Sequence, residues 1–117
     1  MDCRYRYNNV ELLYSIEGEG DVIVLLHGWG CDKSIWRRTI EALRNHFCVV
    51  AVDFAGFGAS QEPTTIWGVE EYTRSIEALV AHEGITMPTL VGHSFGGRVS
   101  LLYASRNEVK SVVLADA

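Results

Sequence analysis

Four short, almost unbroken apolar runs constrain this chain most: Val22 to Leu26, Phe47 to Val52, Thr89 to Val91 and Ser111 to Ala115. Each is too short for a helix and too uniformly apolar for a strand with one wet face, so each reads as a strand buried on both faces. The segments between them carry helical spacing. From Ser34, read as an N-cap, to about Asn45, the apolar residues are Trp36, Ile40 and Leu43. From Val69 to His82 the stripe is Val69, Tyr72, Ile76, Leu79 and Val80, with Glu70, Glu71, Arg74 and Glu77 off it. The last segment runs from Phe95 to about Ser105, with Val99, Leu102 and Tyr103 inward. Strand, helix, strand in repetition predicts a mostly parallel sheet covered on both faces, an α/β fold. Ahead of it, Cys3 to Ile16 is rich in Tyr and Val and broken at Asn8-Asn9, the pattern of a β-hairpin, and Gly18 and Gly20 end it.

With 117 residues the chain is expected to form a single domain. Its longest apolar run, Phe47 to Val52, is far below the roughly 18 residues that span a bilayer. The first residues show no apolar stretch followed by a small-residue cleavage site, so a cytoplasmic protein is expected. Cys3, Cys31 and Cys48 are odd in number and form no CxxC pair, against a disulfide framework or a zinc site. Ten Lys and Arg against 15 Asp and Glu give a formal charge of −5, with no basic run to attract a phosphate backbone. Neither nucleic acid nor a membrane is an expected partner, and no metal or cofactor is implied.

Two glycine-rich turns carry the chemistry. Gly92-His93-Ser94-Phe95-Gly96 follows a strand and opens a helix, the context of a nucleophile elbow. So sharp a turn strains the central residue and crowds positions two before and two after it, where Gly92 and Gly96 stand. Ser94 is then left exposed at the C-terminal edge of the sheet, by the positive end of the helix. His27-Gly28-Trp29-Gly30 follows the first buried strand, and such a loop can turn a backbone N–H toward the elbow as half of an oxyanion hole, Phe95 supplying the other half. A third turn, Gly56-Phe57-Gly58, has Gln61 where a dinucleotide fingerprint needs its third glycine, and no helix signal starts there.

Through VLLHGWG (24 to 30), DFAGFGAS (53 to 60), VGHSFGG (91 to 97) and VVLADA (112 to 117), the chain resembles the α/β-hydrolase superfamily. The resemblance implies Ser94 as nucleophile, the N–H groups of Trp29 and Phe95 as oxyanion hole, and Asp53, Gly56, Gly58 and Ser60 as a structural turn. It also implies an esterase-like enzyme acting on a small acyl substrate, since the dehalogenase and epoxide-hydrolase branches place an aspartate at the position of Ser94.

In this family the order is Ser, then Asp or Glu, then His, yet His27, His46, His82 and His93 all precede Ser94. Asp116 is the one late carboxylate placed to be the acid, although many members keep an Asp or Asn there for structural reasons. The last two strands and the cap of the family have no counterpart, so the chain resembles its N-terminal half. Without its histidine a serine triad loses about 10⁶ in turnover, so little activity is expected of the chain alone. An apolar edge strand at Ser111 to Ala115 would invite self-association or a complementing C-terminal chain. The competing reading is a non-catalytic ligand- or protein-binding module that keeps the elbow.

Overall fold

The computed structural model describes residues 1–115. Strands β1 (Asp2–Tyr7) and β2 (Val10–Glu17) form an antiparallel hairpin. Its turn residues Asn8 and Asn9 both have positive φ, 50° and 64°, a conformation that asparagine tolerates and that matches the twist of a tight hairpin. The remaining strands are β3 (Val22–Leu26), β4 (Cys48–Val52), β5 (Thr89–His93) and β6 (Ser111–Ala115). The sheet order is β1-β2-β4-β3-β5-β6, with β4, β3, β5 and β6 parallel and β2 antiparallel to β4. The expected α/β architecture, hairpin included, is the one observed.

The helices divide between the two faces. α2 (Val69–Glu83) and α3 (Phe95–Arg106) cover a core that includes Val24, Leu26, Val50, Val52, Ile76, Leu79 and Val99. The opposite face holds Ile23, Leu25, Val49 and Ala51 under Trp36, with Ile40 and Leu43 packed at its margin. Strand residues alternate between these cores because successive side chains point to opposite faces. α2 follows its expected stripe, with Tyr72, Ile76, Leu79 and Val80 buried, and ends at Gly84 in the left-handed region (φ 66°). In α3, Val99 and Tyr103 are buried and Leu102 is half-buried.

Two expectations need correction. The helix expected from Ser34 begins instead as a 3-10 turn (Lys33–Trp36) capped by Asp32, whose carboxylate accepts the Ser34 N–H at 2.8 Å, and becomes α1 only over Arg37–Leu43. The aspartate caps better because the ionised carboxylate is the stronger acceptor and sits at the positive end of the turn. Ser111–Ala115 forms the expected strand but is not buried on both faces: Val113 is 48% and Leu114 43% exposed, because β6 is the sheet edge among the described residues and pairs with β5 alone. Asp116 lies outside the described residues. No helix among those described is long and apolar enough to cross a membrane.

Candidate active site

The parallel register sets Leu26 of β3 opposite Gly92 of β5, so the loops leaving both strands start at the same level of the sheet. Ser94 stands between β5 and α3 with φ 54° and ψ −113°, outside the left-handed helical region and costly for any residue with a Cβ. Its side chain is exposed, and among the described residues its hydroxyl has no hydrogen-bond partner. Helix α3 begins at the next residue, with the Gly97 and Arg98 amides both donating to the Ser94 carbonyl at 2.9 and 3.3 Å.

The glycines on either side are set by contact with backbone. A Cβ on Gly92 would fall 2.6 Å from the Gly97 Cα, and one on Gly96 would strike the Leu26 carbonyl and approach the His27 oxygen to 2.8 Å. Helix α3 thus rests directly on the ends of β3 and β5, which fixes the direction of the turn. Gly28 closes the group, since a Cβ there would lie 3.2 Å from the Ser94 Cβ and 2.8 Å from the His93 Nδ1. The two motifs singled out in the sequence therefore meet. The amides of Trp29 and Phe95 are not spent on turn or loop hydrogen bonds among the described residues.

His27 is a brace. It is fully buried; its Nε2 accepts the Phe54 N–H at 2.9 Å, while Nδ1 lies 2.7 Å from the Gly28 carbonyl. Accepting at Nε2 leaves the proton on Nδ1, so the ring is neutral and both nitrogens are committed. Burial is the largest influence and pushes its pKa down, against the raising effect of the Gly28 hydrogen bond and of Asp53. Asp53, also buried, accepts the Lys33 N–H at 2.8 Å and the Ala59 N–H at 3.0 Å, and its carbonyl accepts the Ser60 hydroxyl at 2.6 Å. It ties the turn after β4 to the segment after β3. His46 and His82 are exposed near helix ends, His82 stacked on Tyr5 with ring centroids 6.2 Å apart.

A cavity of about 600 Å³ opens at Ser94, lined by Trp29, Phe95, Gly97, Arg98, Leu101 and Leu114. Arg98 was not foreseen from the sequence; its place one helical turn after Ser94 was the available signal. A second cavity of about 490 Å³ lies across the exposed Trp29 ring, between the turn after β4 and the start of α2. Trp67 borders this second cavity, whereas Trp36 is buried on the opposite face of the sheet. Among the described residues no group of three or more His, Cys, Asp or Glu could hold a metal ion.

Residues 21–117 match the family model described as the alpha/beta hydrolase fold. A soluble epoxide hydrolase of a Corynebacterium species is 35% identical over 100 residues, which cover 86% of this chain and 35% of that protein. A pimeloyl-[acyl-carrier protein] methyl ester esterase of Vibrio parahaemolyticus is 37% identical over 83 residues, 71% of this chain and 31% of the relative. The structure of an epoxide hydrolase from Vigna radiata superposes with a TM-score of 0.94 at 25% identity, over 100% of this chain and 40% of that one. The chain thus spans about a third of the length of these curated relatives. By its sheet order, its strained strand-to-helix serine and the matched span, it belongs to the alpha/beta hydrolase fold family.

Proposed function

We propose that the chain carries the nucleophilic portion of a serine hydrolase that cleaves a carboxylic ester or a related acyl bond. The observation that carries the reading is Ser94 itself, held at φ 54° on a cavity that Trp29 and Phe95 also line, its hydroxyl without a hydrogen-bond partner among the described residues. Attack by Oγ on an acyl carbon forms a tetrahedral adduct whose oxyanion is met by the Trp29 and Phe95 N–H groups and by the N-terminus of α3. Collapse of the adduct expels the alcohol, which takes up the proton lost by Ser94, and leaves an acyl-serine ester. Water then cleaves that ester and regenerates the hydroxyl.

The identity of the nucleophile selects the bond. Several relatives are epoxide hydrolases and one is a haloalkane dehalogenase. A serine attacking an epoxide or haloalkane carbon would form an alkyl ether, which has no carbonyl for water to attack, and turnover would stop. A serine attacking an acyl carbon forms an ester, which water can open. Acyl transfer is therefore the chemistry that this residue completes.

We assign the proton relay to a segment beyond the described residues, with Asp116 as one candidate acid, since no histidine follows Ser94 in the 117 residues as the family's order requires and His27 is committed at both nitrogens. The substrate is a small acyl compound entering the cavity at Ser94, and the exposed β6 edge is where a complementing segment or a second copy pairs.

The test supplies the missing half. Alone, the chain should hydrolyse a short activated ester no faster than Ser94→Ala. Mixed with a C-terminal half of a related serine hydrolase carrying its own acid and histidine, it should gain turnover and an acyl mass on the Ser94 peptide. Turnover that survives Ser94→Ala refutes the mechanism. A well-folded hybrid without turnover would favour the binding-module reading, to which a Ser94 hydroxyl without a partner among the described residues also lends support.

A further inference from the structure

The second cavity has a composition that the hydrolase reading does not use. Trp29, Phe57, Trp67 and Tyr72 line it, and among the described residues its one carboxylate is Glu62 and no lysine or arginine lines it. The rings meet as corners rather than stacks: Trp29 and Phe57 at 4.7 Å and 72°, Trp29 and Tyr72 at 5.9 Å and 82°, Trp67 and Tyr72 at 5.2 Å and 76°. Two walls are rigid. Trp67 and Tyr72 are buried, and the Tyr72 hydroxyl is anchored on the Ala55 carbonyl at 3.0 Å. Trp29, 60% exposed, is the free wall, and Glu62 forms no ion pair among the described residues.

We propose that this cavity is a binding site for the quaternary or highly alkylated ammonium group of a small molecule. Aromatic faces carry the negative lobe of the ring quadrupole, so a concave set of rings attracts a cation without hydrogen-bonding to it. That suits an alkylated ammonium, which is weakly hydrated and has few or no N–H donors to satisfy. A primary ammonium would surrender a tight hydration shell for rings that accept poorly and for one carboxylate. Glu62, in the lining, completes the charge balance, and its proximity is already felt at Tyr72, whose pKa is raised first by burial and then by the Glu62 charge. Trp29 lines both cavities. Binding itself requires nothing of Ser94 and stands or falls apart from the proposed chemistry.

The discriminating probes are choline and 3,3-dimethylbutan-1-ol, its uncharged isostere, titrated into the full chain and followed through the three tryptophan indole N–H resonances. Choline should shift Trp29 and Trp67 while leaving Trp36, on the opposite face, as internal control, and should bind about tenfold more tightly than the alcohol. Glu62→Gln should lose several-fold in choline affinity and leave the alcohol unchanged. Trp29→Ala, at an exposed position, should weaken choline most. Equal affinity for the two probes, or shifts of Trp36 in place of Trp29 and Trp67, or no binding of choline at all would overturn the assignment.

Discussion

Replacing Ser94 by glycine should make the protein more stable while abolishing any nucleophilic chemistry. At φ 54° and ψ −113° the serine occupies backbone space that is open to glycine and costs a residue with a Cβ about 1–3 kcal/mol. Glycine gives back roughly 0.5–1 kcal/mol through the greater freedom of the unfolded chain. The side chain is exposed and makes no hydrogen bond among the described residues, so its removal costs little else. The net expectation is a gain of about 1 kcal/mol, or roughly 4 °C in Tm for a chain of this size.

Ser94→Ala is the control that isolates the backbone term. It removes the same hydroxyl but keeps the Cβ and hence the strain, so it should stay within about 0.5 kcal/mol of the parent. Urea unfolding followed by circular dichroism and by tryptophan fluorescence would give both values, provided the two probes coincide and the slopes are unchanged. If Ser94→Gly is no more stable than Ser94→Ala, the turn is not strained at this residue, and the contacts of Gly92 and Gly96 rather than stored backbone energy hold the elbow in place.

Three further outcomes follow from the same geometry. Gly96→Ala should lose about 2–3 kcal/mol in the same unfolding assay, because its Cβ would strike the backbone of Leu26 and His27, whereas Gly97→Ala should be neutral or up to about 1 kcal/mol stabilising, because its Cβ would meet the Leu114 methyl at 3.3 Å and the Gly92 carbonyl at an ordinary contact distance of 3.6 Å; equal effects would refute the rigid helix-on-strand contact. The folded-state pKa of His27 is depressed, so its contribution is complete above the ordinary value of 6.5 and is lost as pH falls from there toward the folded value, at up to about 1.4 kcal/mol per pH unit; His27→Gln should flatten that part of the stability profile, and an unchanged profile would remove His27 as its source. Val113→Lys, which charges the exposed β6 edge, should shift the chain from dimers or larger species toward monomer in size exclusion with light scattering, and a parent that is already monomeric at high concentration would refute pairing at that edge.

Strand existence was legible because runs such as Val22–Leu26 are apolar at nearly every position, and the elbow was legible because its residues are contiguous in sequence and Gly92 is required by contact with Gly96 and Gly97, although Gly96 itself rests on the distant Leu26 and His27. Features that depend on distant partners were not. The exposure of Val113 and Leu114 reflects the absence of a neighbour beyond β6 among the described residues; the run itself does not encode it, and the edge position expected for Ser111 to Ala115 came from the family resemblance instead. The Asp32 cap was missed because Asp and Ser compete for the role two residues apart, and the choice was made by the 3-10 turn that tucks Trp36 onto the sheet. The aromatic cavity draws on residue 29, on 55–67 and on 72, which are adjacent only because Asp53 and His27 tie the turn after β4 to the loop after β3.

That tie also explains which part of the chemistry this chain can prepare in advance. Ser94 and the Trp29 amide leave neighbouring parallel strands at levels fixed by the Leu26–Gly92 register, and a slip of one residue would turn every side chain of β5 to the opposite face. The buried stretches Val49–Val52 and Val24–Leu26 make such a slip costly, so the sheet core holds in place Ser94 and Trp29, the proposed nucleophile and one of its proposed oxyanion donors. A proton relay needs a different property, since a histidine must change charge during the reaction and so must avoid the full burial that keeps His27 neutral. The proposed division, with the fixed dipoles at the ends of β3 and β5 and the titrating groups on another segment, satisfies both requirements.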